Sequence, residues 1–379
     1  MSKADRPGRS RASDASGGQA GGRAGKRSET RAGDQAGTRA GDQADPQAEP
    51  QAETRVEAQA EDRVRERPGE RPADGTVGAG GTADGQAGDG DGAVRTPDRL
   101  AVRKTYKLYI GGAFPRSESG RSYPVASSSG DFLANASRAS RKDARDAVSA
   151  ARKAFGGWSG ATAYNRGQIL YRVAEMLEGR RAQFAAELAD AGTSGAGAVV
   201  DAAVDRLVWY AGWSDKIAAV AGSSNPVAGP YFNISTPEPT GVVAVVAPGD
   251  PLLGLVSVLA PVIVTGNTCV VIASERAPLP SITLAEVLAT SDLPGGVVNV
   301  LTGSVAEIAP WLAAHMDVNA LDLTGVTDEA LAVACEEAAA ENLKRVLRPG
   351  VTADWYADPG TRRLTAFLET KTVWHPTGV

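Results

Sequence analysis

The sequence predicts an α/β fold: a doubly wound parallel sheet with helices on both faces and further helices ahead of it. Two observations predict it. The stretch Gly241 to Ile272 reads as strand, turn, helix and strand, with the apolar run Val242–Val246, a break at Pro248-Gly249-Asp250-Pro251, an apolar helix, and the strand Cys269–Ile272. Strands then keep alternating with helices as far as Glu341, the order a parallel sheet with crossover helices requires.

Of the 379 residues, 1–100 form a region of Ala, Gly, Asp, Glu, Arg and Gln with little that is large and apolar. Such a segment cannot bury enough surface to offset its ordering entropy, so a disordered tail is predicted. Arg31-Ala-Gly-Asp-Gln-Ala recurs at Arg39, a repeat too short and polar for a solenoid. Residues 101–350 are predicted to form the main domain, with an extended excursion over 222–239, and residues 351–379 a C-terminal tail that ends in a strand. The formal net charge is −5 and no basic stripe marks the domain, which argues against nucleic acid as a partner. The apolar run Leu252–Val264 is too short to span a bilayer, and no apolar leader opens the chain, so no membrane partner and a cytoplasmic location are expected. Two cysteines, Cys269 and Cys335, support neither a disulfide framework nor a metal spacing.

The elements follow in order. Tyr106–Ile110 alternates and meets Gly111-Gly112, a short strand and hairpin. Ser140-Arg-Lys-Asp143 is a capping box, and the helix behind it is predicted to stop at Gly156-Gly157. Amphipathic helices are predicted over about 165–178, 182–190 and 198–220. The Gly, Pro and Ser-rich stretch 222–239 is extended. Within the sheet, helices are predicted at about 253–265, 279–290, 306–314 and 328–341, and strands at 242–246, 269–272, 297–301 and 320–323. From Thr361 the chain begins helical, and Leu368–Trp374 alternates like a half-exposed strand.

Three motifs carry a resemblance to a known family: the Gly241–Ile272 unit, the strand and turn Leu293–Gly303, and His315–Gly325. With Asn342–Val346 and the last dozen residues, they make the chain resemble the aldehyde dehydrogenase superfamily. The resemblance implies a Rossmann-like domain and NAD or NADP as cofactor. It also implies that the excursion 222–239 and the C-terminal strand build a small oligomerisation sheet. In that family a cysteine thiolate attacks the aldehyde, a glutamate activates water, and an asparagine amide helps to hold the oxyanion.

At each of these points the sequence departs. Asp250 is the nearest counterpart of the oxyanion asparagine, and a carboxylate there repels an oxyanion. After Val346 comes Leu347-Arg-Pro-Gly350 where the family continues into the strand of the glutamate base and the domain of the cysteine. The ribose-binding lysine aligns with Ile272 and the phosphate-contacting serine with Val326. The cofactor-binding residues that the resemblance leaves are Pro248, Glu275, Gly303, Thr324, Gly325 and Thr327. Free N–H groups at the helix start after Gly325 are expected to keep some attraction for phosphate. Cofactor binding is therefore expected to be weak or lost, and no catalytic residue is assigned. Cys269 and Cys335 read as buried structural cysteines, His315 as a loop residue, and Trp209, Tyr210 and Trp213 as core or interface.

The expected function is that of a non-catalytic partner or regulatory subunit. It would form a homo-oligomer or a hetero-oligomer with a full-length aldehyde dehydrogenase. The alternatives are an NAD(P)-dependent aldehyde dehydrogenase with a rearranged site and a dinucleotide-binding module without catalysis.

Overall fold

The computed structural model describes residues 103–348 and 353–378, all within one compact unit, Ala93–Val379. The tail over 1–100 lies outside the described residues. The unit opens with a small sheet of β1 (Thr105–Tyr106), β2 (Ser122–Ala126) and β3 (Phe132–Ser137) in the order β1-β3-β2. The Gly111-Gly112 turn closes a bridge between Ile110 and Ala113, and Tyr109 bridges to Val300. The β2 and β3 strands have no counterpart in the sequence reading: they are short, with few β-branched residues and a proline in β2, so composition does not mark them.

Helix α1 (Arg141–Gly160) starts as predicted. Ser140 and Asp143 exchange bonds between side chain and backbone, a complete capping box. The predicted stop at Gly156-Gly157 is wrong, because the helix runs on to Gly160. Each glycine costs about 1 kcal/mol relative to alanine in a helix. The next residue, Trp158, is buried, and its Nε1 donates to the Ile263 carbonyl at 2.8 Å. Burying a large side chain is worth roughly 1.5–3 kcal/mol, enough to offset the glycines.

Helices α2 (Ala163–Glu178) and α3 (Arg181–Asp190) match expectation. The helix predicted over 198–220 is instead two, α4 (Ala196–Trp213) and α5 (Ile217–Ala221). Between them the Ser214 and Lys216 N–H groups bond three residues back, tightening the turn that separates the pair.

The main sheet holds β6 (Val242–Val246), β7 (Thr268–Ile272), β8 (Val298–Leu301), β9 (Ala320–Asp322) and β10 (Arg345–Leu347). All are parallel, in the order β10-β9-β6-β7-β8. The helices between them are α6 (Leu253–Val264), α7 (Leu279–Ala289), α8 (Val305–Ala314) and α9 (Glu329–Ala340). Alternate residues of β6 and β7 enter different cores. Val243, Val245, Cys269 and Val271 join the cluster that includes α2, α4, α6 and α7. Val242, Ala244, Val246, Val270 and Ile272 join the cluster of α1, α8 and α9. That division is the doubly wound arrangement, and it explains why these strands read as unbroken apolar runs. Every residue of α6 is buried. No helix among the described residues is long and apolar enough to cross a membrane.

A third sheet joins β4 (Ser223–Asn225), β5 (Tyr231–Pro239) and β11 (Leu368–Pro376) in the order β11-β5-β4. β5 and β11 pair antiparallel over nine residues, Leu368 opposite Pro239 and Pro376 opposite Tyr231. The excursion and the C-terminal strand therefore do form one small sheet. From Ala353 the described chain continues within the same unit, and α10 (Arg362–Thr365) leads into β11.

Candidate functional site

The order of the parallel sheet places its switch point between β6 and β9, and ligands of such sheets bind outside the carboxyl ends of the strands at that point. A cleft of about 790 Å³ lies there. Pro248, Gly249 and Asp250 from the end of β6 form one wall, and Thr324, Val326 and Thr327 from the end of β9 form another. Leu347 and Arg348 close the side next to β10, and Trp355, Arg362 and Arg363 come from the returning C-terminal segment.

Four of the six predicted cofactor residues meet in this region. Pro248, Thr324 and Thr327 line the cleft. Gly325 packs behind it: its N–H donates to the Val246 carbonyl at 3.0 Å, and a Cβ there would stand 2.0 Å from the Ala247 oxygen. This is a glycine required by the close approach of two backbones. The other two lie further along the same edge of the sheet, beyond β7 and β8. Glu275 is exposed there, close enough for its carboxylate to act on the Tyr123 hydroxyl, whose pKa burial first raises well above the usual value. Gly303 is buried against the Arg138–Ala139 backbone, and the neighbouring Thr302 carbonyl accepts from Ala139 N at 2.8 Å.

The residues do not make a ready cradle for a dinucleotide phosphate. The α9 N-terminus, expected to offer free N–H groups, is capped by its own carboxylate. Asp328 accepts from Ala330 N at 2.9 Å and from Leu331 N at 3.4 Å. A capping aspartate satisfies donors that an anion would use and adds a negative charge beside them. Val326 is buried and brings no hydroxyl, and Ile272, where the resemblance places a lysine, is core. Asp250 caps α6 in the same manner, accepting from Leu252 N at 3.1 Å and Gly254 N at 2.8 Å.

What the sequence reading missed is the chemistry of the returning segment. Arg363 donates to Asp322 at 2.8 Å and to the Thr324 hydroxyl at 3.0 Å. Asp322 is 1% exposed, so this is an ion pair largely withdrawn from water. The Arg363 guanidinium also stands 5.5 Å from the centre of the Trp355 ring. Arg206 of α4 donates to the Trp355 and Ala357 carbonyls at 2.7 and 3.0 Å. Two arginines thus pin Trp355–Arg363 beside the switch point. The signals were available, an aspartate ending an apolar strand and a tryptophan in a polar stretch, but nothing local joins residues so far apart in sequence.

Neither cysteine lies in the cleft. Cys269 and Cys335 are fully buried, and desolvation pushes both thiols up. His315 accepts from Asp317 N at 3.1 Å, which is a loop role, and burial lowers its pKa. Tyr210 is core, with Trp209 edge-on to it at 4.9 Å and tilted against Trp213 at 5.5 Å. Among the described residues, no group of three His, Cys, Asp or Glu is placed to hold a metal ion.

Comparison with known proteins agrees with this architecture. The model of the aldehyde dehydrogenase family matches residues 115–348. Cytosolic aldehyde dehydrogenase 1 of Elephantulus edwardii is 33% identical over 249 residues, covering 63% of this chain and 49% of that protein. The putative aldehyde dehydrogenase DhaS of Bacillus subtilis is 32% identical over 256 residues, 65% of this chain and 50% of the relative. Among solved structures, HpcC of Thermus thermophilus aligns with TM-score 0.60 and 31% identity, over 64% of this chain and 47% of the other. The NAD+ complex of an aldehyde dehydrogenase from Bacillus cereus gives TM-score 0.60 and 28% identity over 64% and 50%. The chain spans about half the length of the curated relatives it matches. With a family match that runs from β2 to β10 and covers more than half of its length, this chain belongs to the aldehyde dehydrogenase family, an oxidoreductase family.

Proposed function

We propose that this chain is a non-catalytic member of its family that acts as a partner or regulatory subunit. The observation that carries the reading is the state of its two thiols. Attack on an aldehyde needs a thiolate at an accessible position. Cys269 and Cys335 are enclosed in the two cores with their protons held by burial. Retained assembly pieces support the partner role. The β11-β5-β4 sheet presents Tyr231, Phe232 and Trp374 exposed and leaves a strand edge at β11, which suits pairing with a second copy or with a full-length relative. Binding of NAD or NADP at the switch-point cleft is weak or lost on this reading, since Asp328 and Val326 replace the phosphate contacts.

The test has two arms. Incubation with small aldehydes and NAD or NADP is expected to give no reduced nicotinamide above the buffer rate. A rate abolished by Cys269→Ala or Cys335→Ala overturns the reading. Co-expression with a full-length family member, followed by size exclusion, is expected to give co-migration or a self-assembled peak. A chain that elutes as a monomer under both conditions removes the partner role.

A further inference from the structure

Arg206 is a buried cation without an ion-pair partner among the described residues. It is 9% exposed, and no carboxylate among those residues forms an ion pair with it. Its two hydrogen bonds, to the Trp355 and Ala357 carbonyls, both use Nη2. A guanidinium carries five N–H donors, so its Nε and Nη1 hydrogens are not taken by these two carbonyls. The charges acting on the nearby Tyr210 hydroxyl are Arg206, Arg363 and Asp322. Asp322 is already committed to Arg363. That buried carboxylate is therefore not free to pair with Arg206, and a charge withdrawn from water without a paired counter-ion is unfavourable.

Arg206 lines a hollow of about 430 Å³ between α4 and the returning segment. Trp209, Trp355 and Tyr356 wall it, and the exposed Asp205 and Asp358 stand at its rim. The volume is that of a small-molecule site, with aromatic walls and Arg206 as its one cationic group. Flat indole and phenol rings favour a flat apolar body. The guanidinium fork matches a carboxylate in bidentate geometry. The two aspartates repel any anion, and a dianion about twice as strongly, so a single negative charge placed directly on the guanidinium is the one tolerated.

We propose that this hollow binds a small aromatic monocarboxylate, with the carboxylate on Arg206 and the ring against Trp209, Trp355 and Tyr356. The hollow adjoins the switch-point cleft, since Trp355 lines both, but the proposal does not depend on the function proposed above. It involves binding only, with no bond made or broken.

Tryptophan fluorescence of the full chain, titrated with benzoate and in parallel with the neutral benzamide, tests it. Benzoate is expected to quench with saturation in the millimolar range, and benzamide to bind roughly tenfold or more weakly. Arg206→Gln is expected to abolish the preference for benzoate, and Arg206→Lys to keep part of it. Because Arg206 also pins the segment, Tyr356→Ala is the second variant: it removes one exposed wall, leaves both pins, and is expected to weaken benzoate several-fold. Equal affinity for benzoate and benzamide, no saturation, or unchanged benzoate binding in Arg206→Gln or Tyr356→Ala overturns the proposal.

Discussion

The five-stranded parallel sheet and the three-stranded antiparallel sheet of this protein are built on opposite terms. β6 and β7 are buried at every residue, whereas β5 alternates and β11 is exposed over most of its length. The first sheet is covered on both faces by its own helices. The second offers aromatic residues and a strand edge to solvent. Chemistry that perturbs the first should change folding, while chemistry that perturbs the second should change association and leave folding nearly intact.

Replacing Arg363 by Ala breaks this comparison most directly. It leaves Asp322 buried at the end of β9 without a counter-charge, and unfolding in urea is expected to show a loss of about 3–5 kcal/mol. A variant carrying Asp322→Asn with Arg363→Gln should recover most of that loss. Full stability in Arg363→Ala would mean that the returning segment contributes nothing to the parallel sheet.

A substitution of opposite sign sharpens the account of the covered half. Glu187 of α3 takes three donors on Oε1, from Tyr106, Thr283 and Gln183, while its Oε2 is buried without a partner. Desolvation raises its pKa above the ordinary 4.5. A raised carboxyl pKa penalises the folded state once the group must ionise. Wild-type stability is therefore lowered as pH rises from the unfolded value through the folded one. Glu187→Gln is expected to raise Tm at pH 7, with the advantage disappearing as pH falls below about 4.5. A Tm difference that is independent of pH would refute the desolvation account.

In the small sheet the expected stability effects are lesser. Trp374 is 56% exposed and edge-on to Tyr231 at 5.7 Å. Trp374→Ala should cost about 0.5–1.5 kcal/mol in a thermal melt, yet move the elution volume toward a smaller species. The reverse pattern, a collapsed fold with unchanged assembly, would make β11 a core element. Smallest of all is the Arg345–Glu369 pair, 2.6 Å long but with both side chains about half exposed. Removing Arg345 should change stability by about 0.2–1 kcal/mol and only at low salt.

Much of the covered half was legible in the sequence, because its causes are local. The capping box at Ser140 and Asp143 predicts where α1 begins, since both partners lie within one turn. The run Val242–Val246 predicts a strand buried on both sides. The end of α1 was not legible: Gly156-Gly157 is a stop signal by local rules, and it is overruled by the Trp158 contact with α6. β10 was missed because Arg345–Leu347 is three residues with no pattern, paired only by the register of β9. Thr324 and Thr327, expected from the motif that ends β9, line the switch-point cleft. Arg206 and Arg363 were not found, because their partners lie 149 and 41 residues away.

By itself the sequence determined most element types and the parallel sheet, as consequences of apolar period and turn chemistry, while the pairing of the excursion with the C-terminal strand was implied by the family resemblance. The tertiary structure alone decided where the chain stores its charge. It buried Asp322 against Arg363, left Arg206 without a counter-ion, and turned Asp250 and Asp328 into helix caps. The reason is physical: periodicity reports what each residue prefers among its neighbours, whereas the cost of a buried charge depends on what folding brings within a few ångströms of it.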